Sequence, residues 1–131
     1  MIVLDASAVL ELLLSTPRGA KVAARIAPPT ESLHAPHLLD VEVAQVLRRY
    51  DSAGVLSAAE GERALEDLAA LDVSRYAHDL LLPRIWALRA NATAYDACYL
   101  ALAEVLAAPL VTCDGRLARA PAHHATIELI R

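Results

Sequence analysis

Short strand-like runs at Ile2–Leu4, Leu33–Ala35, Val73–Tyr76, Leu110–Thr112 and Thr126–Ile130 recur between longer stretches whose apolar residues repeat with helical spacing. Such an alternation leaves little freedom: consecutive strands separated by helices pair in parallel through right-handed crossovers. The chain is therefore expected to form a three-layer α/β/α domain with a mainly parallel central sheet. Helical patterns cover 6–14, 18–27, 37–52, 57–70, 78–90, 94–107 and 115–119. Ser57 and Glu60 open the fourth of these with the spacing of a capping box. No repeat, low-complexity tract or charge block divides the sequence, which predicts a single domain over 1–131.

Composition narrows the class further. With 131 residues, 56% of them hydrophobic and 21% charged, the chain is long enough to bury a core without disulfide or metal staples. Its apolar stretches, Ala97–Ala103 and Val105–Val111, are interrupted by Glu104 and fall short of the roughly 18 residues a membrane span needs. The chain begins Met1-Ile2-Val3-Leu4-Asp5 without a basic leader, so a cytoplasmic location is expected. Cys98 and Cys113 lie in apolar surroundings without metal spacing and read as reduced core thiols. The net charge of −4, with Lys21 the only lysine, argues against unselective coating of nucleic acid. It does not exclude an enzyme that acts on nucleic acid, because bound divalent ions would reverse the local sign.

In an open parallel sheet the binding crevice lies beyond the carboxyl ends of the strands, where the strand order reverses. Asp5 ends the first strand and Asp114 follows the fourth, placing two carboxylates at that edge. Glu42 sits one turn after Leu39 and one before Val46, at the margin of an apolar stripe. Asp96 falls in the first turn of the 94–107 helix. Taken singly, Asp5, Asp96 and Asp114 also suit helix capping or turns, and Glu42 suits a helix face beside Arg49. Four carboxylates sharing one crevice would repel one another by about 4 kcal/mol per close pair. A hard cation such as Mg²⁺ or Mn²⁺ relieves that repulsion with oxygen ligands alone, and its chemistry suits activation of a water for in-line attack on a phosphodiester.

Four segments around these acids carry a resemblance. Ile2-Val3-Leu4-Asp5-Ala6-Ser7-Ala8, Ala35-Pro36-His37-Leu38-Leu39-Asp40-Val41-Glu42-Val43-Ala44, Thr93-Ala94-Tyr95-Asp96-Ala97-Cys98-Tyr99-Leu100-Ala101-Leu102-Ala103 and Leu110-Val111-Thr112-Cys113-Asp114-Gly115-Arg116-Leu117 follow in order. Together they resemble the PIN-domain ribonucleases, and in particular the VapC-type toxins of toxin–antitoxin pairs. The resemblance implies a PIN-like fold, endoribonuclease activity dependent on Mg²⁺ or Mn²⁺, an RNA substrate, a VapB-type antitoxin and a homodimer. It implies metal-binding and catalytic roles for Asp5, Glu42, Asp96 and Asp114, with Ser7 and Thr112 as supporting hydroxyls. Asp40 is two residues from Glu42 and points about 200° round the helix, so Glu42 takes the acid position. Some relatives carry a further acid just after the fourth motif, whereas 115–120 contain none, which leaves the number of ions open.

Arg48, Arg49, Arg89, Arg116 and Arg119 flank the acids and could grip phosphate, Arg116 being preferred. His34, His37, His78, His123 and His124 show no ligand spacing and are expected in structural or surface roles. Trp86 and Tyr50 read as core or interface residues. A phosphoacceptor receiver domain would need a lysine near the last strands, and a haloacid-type phosphatase a second acid where Ser7 stands. The remaining alternatives are a PIN nuclease of RNA maturation and a catalytically silent PIN-like binding module.

Overall fold

The computed structural model describes residues 1–131. Its strands are β1 (Ile2–Leu4), β2 (Leu33–Pro36), β3 (Val73–Tyr76), β4 (Leu110–Thr112) and β5 (Ile127–Leu129). Its helices are α1 (Ala6–Leu13), α2 (Pro17–Ile26), α3 (Leu38–Ser52), α4 (Ala58–Ala70), α5 (Leu82–Ala87), α6 (Ala94–Leu106) and α7 (Gly115–Ala118). The sheet runs β3-β2-β1-β4-β5, and every pairing is parallel rather than merely most of them. The order reverses between β1 and β4, in register at Val3 with Leu110 and Leu4 with Val111. The carboxyl ends of those two strands therefore frame the crevice that this topology creates.

Alternation along β1 divides the core. Ile2 and Leu4 join one buried cluster with Val9, Val22, Leu39, Val43 and Leu68, whereas Val3 joins the other with Leu88, Leu100, Leu102 and Leu110. Helices α1 to α4 cover the first face, and α5 and α6 the second. Residues Ala97 to Ala103 of α6 are all buried, as expected of a helix that is apolar on every side. Its small alanines let it lie close against the sheet, which brings its first turn up to the carboxyl edge.

The capping box of α4 forms as predicted, with Ser57 and Glu60 each accepting the other's backbone N–H. The helix expected over 78–90 is instead a 3-10 turn at Asp79–Leu81 followed by the six residues of α5. Pro83 lies at the start of α5, where its missing N–H is tolerated and a longer helix cannot continue from upstream. The chain then turns tightly, with Asn91 and Ala92 N–H groups both donating to the Leu88 carbonyl, and delivers Thr93 to the start of α6.

Candidate active site

Asp5 leaves β1 and caps α1, its Oδ1 accepting the Ala8 N–H at 3.0 Å. The same oxygen accepts the Ser7 hydroxyl at 2.7 Å, and Oδ2 accepts the Thr112 hydroxyl at 2.6 Å. Both hydroxyls have thereby spent their only proton on Asp5. Each accepts in turn from the chain leaving β4: Cys113 N–H donates to Ser7 Oγ and Asp114 N–H to Thr112 Oγ1, both at 2.9 Å. Capping and site membership are therefore compatible roles for Asp5. Burial pushes its carboxyl up to about 6 despite the three hydrogen bonds, and the nearby charge of Asp114 adds to the shift.

Glu42 is half-buried on α3, and the Tyr99 hydroxyl donates to its Oε1 at 2.6 Å. Burial raises the Glu42 carboxyl above its ordinary range; the Tyr99 bond opposes that shift and the charge of Asp96 reinforces it. Asp40 is otherwise engaged, held bidentately by Arg75 at 2.8 and 2.9 Å.

Asp96 stands in the first turn of α6, where the Thr93 hydroxyl accepts its N–H at 3.1 Å. Its carboxyl is raised mainly by burial, an effect opposed by Arg116 and increased by Asp114. Asp114 caps α7 by accepting the Arg116 N–H at 2.8 Å. The Arg116 guanidinium lies 3.6 Å from Asp96 and 3.5 Å from Asp114, with its side chain 73% exposed. Such an exposed contact is weak and free to rearrange.

The electrostatic neighbours form a chain along the carboxyl edge, Asp5 to Asp114 to Asp96 to Glu42. As they lie, no three Asp, Glu, His or Cys side chains close on a point that could hold a metal ion. Arg116 stands between two of the acids, Asp96 and Asp114. The donor set itself fits a hard divalent cation: it is oxygen-only, and burial and mutual repulsion both disfavour its ionised form unless a positive charge compensates. A cleft of about 590 Å³ opens from this edge, lined among others by Ser7, Glu42, Asp114, Arg18 and Arg49. A smaller hollow of about 360 Å³ holds Asp96, Arg116 and Arg119.

The other basic candidates separate. Arg48 is exposed on α3, and Arg89 packs over the Trp86 ring at 4.6 Å. Trp86 is 69% exposed, so it is not a core residue. Arg18, which sequence reasoning passed over, reaches the cleft by donating to the Cys113 carbonyl at 3.1 Å. Nothing in its local sequence signals this, because its position depends on how α2 packs. Tyr99 did carry a signal: it is one turn beyond Asp96 on the same face of α6. His34 is structural, bonded through its two ring nitrogens to Ser32 and Tyr76. Cys98 and Cys113 are both buried thiols.

The PIN domain model matches residues 2–122. The chain belongs to the PIN domain family. Among its relatives, Ribonuclease VapC12 of Mycobacterium tuberculosis is 45% identical over 130 residues, covering 99% of both chains. VapC ribonuclease Mb0985 of Mycobacterium bovis is 49% identical over 117 residues, covering 89% of this chain and 88% of that protein. The crystal structure of PAE2754 from Pyrobaculum aerophilum superposes with a TM-score of 0.67 at 26% identity, over 96% of this chain and 81% of the other. Within the PIN family the chain is thus of the VapC type, and the three-layer architecture expected from the strand and helix alternation is the family fold.

Proposed function

We propose that this PIN domain is the endoribonuclease toxin of a VapBC-type toxin–antitoxin pair and hydrolyses RNA phosphodiesters in the cleft beside Asp5, Glu42, Asp96 and Asp114. The observation that supports this reading is the row of electrostatically coupled motif acids beside the strand-order reversal, three of them with carboxyls raised by burial. The relatives' ribonuclease names supply the substrate class.

Asp5, Glu42, Asp96 and Asp114 would hold Mg²⁺, with Mn²⁺ as its substitute. When bound, the cation supplies Lewis-acid stabilisation of charge building on the phosphate and makes water a better nucleophile near neutral pH. The chain's own contribution is placement. Ser7 and Thr112 fix both oxygens of Asp5, and Tyr99 fixes one oxygen of Glu42. Arg116 is exposed and its long carboxylate contacts are weak, so it would exchange them for a substrate phosphate, and Arg18 and Arg49 line the cleft a strand would follow. The domain works in the cytoplasm as a single unit over 1–131, as a homodimer restrained by a VapB-type antitoxin; no helix is long and apolar enough to cross a membrane.

The test is induced expression of the wild type and of Asp96→Asn at matched levels. Growth arrest with discrete RNA fragments from the wild type alone is the expected result. Equal arrest by a folded Asp96→Asn protein would contradict the assignment, and absence of arrest and fragments from both would favour a silent binding module.

A further inference from the structure

Tyr99 leads the fully buried side chains in size, with 2% exposure, and stands one turn beyond Asp96 on α6. Its hydroxyl leaves α6 and reaches Glu42 on α3, 57 residues earlier in the chain, at 2.6 Å. A residue needed only to fill this space would not require the oxygen. A buried phenol must find a partner, and drawing a carboxylate out of water to serve as that partner costs more than replacing the pair by apolar groups. Glu42 otherwise has three rotatable bonds and a cleft in which to turn. Its other carboxylate oxygen makes no hydrogen bond within the protein.

We infer that Tyr99 is a positioning residue for cation binding: its hydroxyl anchors Glu42 by Oε1 and leaves Oε2 to the metal, so that one face of α6 supplies both a ligand, Asp96, and the holder of a second. This rests on the reading of Glu42 as a metal-binding acid. Ordering a ligand by a neighbouring hydrogen bond is a general means of raising metal affinity without adding a ligand. The hydroxyl's single proton is directed at Glu42 Oε1, and that bond is the contact through which Tyr99 acts on the site.

The experiment is Mn²⁺ titration followed by the electron paramagnetic resonance of the free ion, on the full chain as wild type, Tyr99→Phe, Glu42→Ala and the double variant. Unfolding midpoints are taken on the same samples in EDTA. Phenylalanine keeps the ring and its packing, so Tyr99→Phe should remain folded while binding Mn²⁺ about 10-fold or more weakly. Glu42→Ala should also weaken binding, and Tyr99→Phe added to it should cause no further loss. Wild-type affinity in folded Tyr99→Phe, with Glu42→Ala weakened, would overturn the inference and leave the metal site standing. An additional loss in the double variant would also overturn it, since Tyr99 would then act elsewhere. Failure of the wild type to bind, or wild-type affinity in Glu42→Ala, would remove the metal-ligand reading and this inference together.

Discussion

The Thr112 hydroxyl gives its proton to Asp5 Oδ2 across 2.6 Å, tying the end of β4 to the end of β1 at the point where the sheet reverses its order. Thr112 Oγ1 in turn accepts the Asp114 N–H, so one buried side chain orients two of the four acids. Thr112→Val keeps the shape but leaves an ionised carboxylate short of one donor and an N–H without its acceptor. It should cost about 2–3 kcal/mol at pH 7, measured by urea unfolding. Thr112→Ser should recover all but about 1 kcal/mol, the share of the missing methyl. Equal losses in the two variants would show that the hydroxyl does not matter.

The raised carboxyl of Asp5 makes a prediction about pH. In the unfolded chain this group titrates near 3.8 and in the folded protein near 6. The folded state therefore holds the proton more tightly, and stability is lost as pH rises from about 4 to about 6, by about 3 kcal/mol at most. Asp5→Asn cannot titrate. In EDTA, the stability of the wild type relative to Asp5→Asn should fall through that window and level off above it. Parallel pH profiles would mean that the carboxyl titrates normally.

Asp40 and Glu42 are two residues apart with different engagements, Asp40 with Arg75 and Glu42 with Tyr99. Asp40→Asn should retain RNA cleavage and lose about 1 kcal/mol of stability or less, as for other partly exposed ion pairs. Glu42→Gln should abolish cleavage and stay folded. A reversal of the two activity results would move the metal-binding acid to Asp40.

Gly19 is where α2 crosses α1. A Cβ at this position would lie 2.0 Å from the Glu11 carbonyl oxygen, which is backbone and cannot turn aside. Gly19→Ala should destabilise the protein by about 3 kcal/mol or more, the upper part of the range for overpacking. Because the adjacent Arg18 reaches the cleft from this crossing, any folded fraction should also bind RNA more weakly. Wild-type stability would show that α2 can shift without cost.

The strand and helix alternation was legible because it depends on local periodicity, and Asp5 and Asp114 were legible because strand ends are local too. Asp40 and Glu42 could be separated by helix geometry alone. The contacts between distant helices were not accessible in this way. Tyr99 serves Glu42 only because α6 and α3, on opposite faces of the sheet, reach each other at its carboxyl edge, and Arg18 enters the cleft only because Gly19 lets α2 approach α1. The helix expected over 78–90 failed for a local reason: apolar periodicity runs through Pro83, but an α-helix from upstream cannot, because Pro83 has no N–H to donate back.

The most direct test of the central claim is incubation of total cellular RNA with the purified, antitoxin-free chain in Mn²⁺ and in EDTA, beside Asp5→Asn, Glu42→Gln, Asp96→Asn and Asp114→Asn. The account predicts discrete fragments from the wild type in Mn²⁺ and none in EDTA, with cleavage lost in all four folded variants. Cleavage that persists in EDTA, or in any of these variants at the wild-type rate, would contradict it.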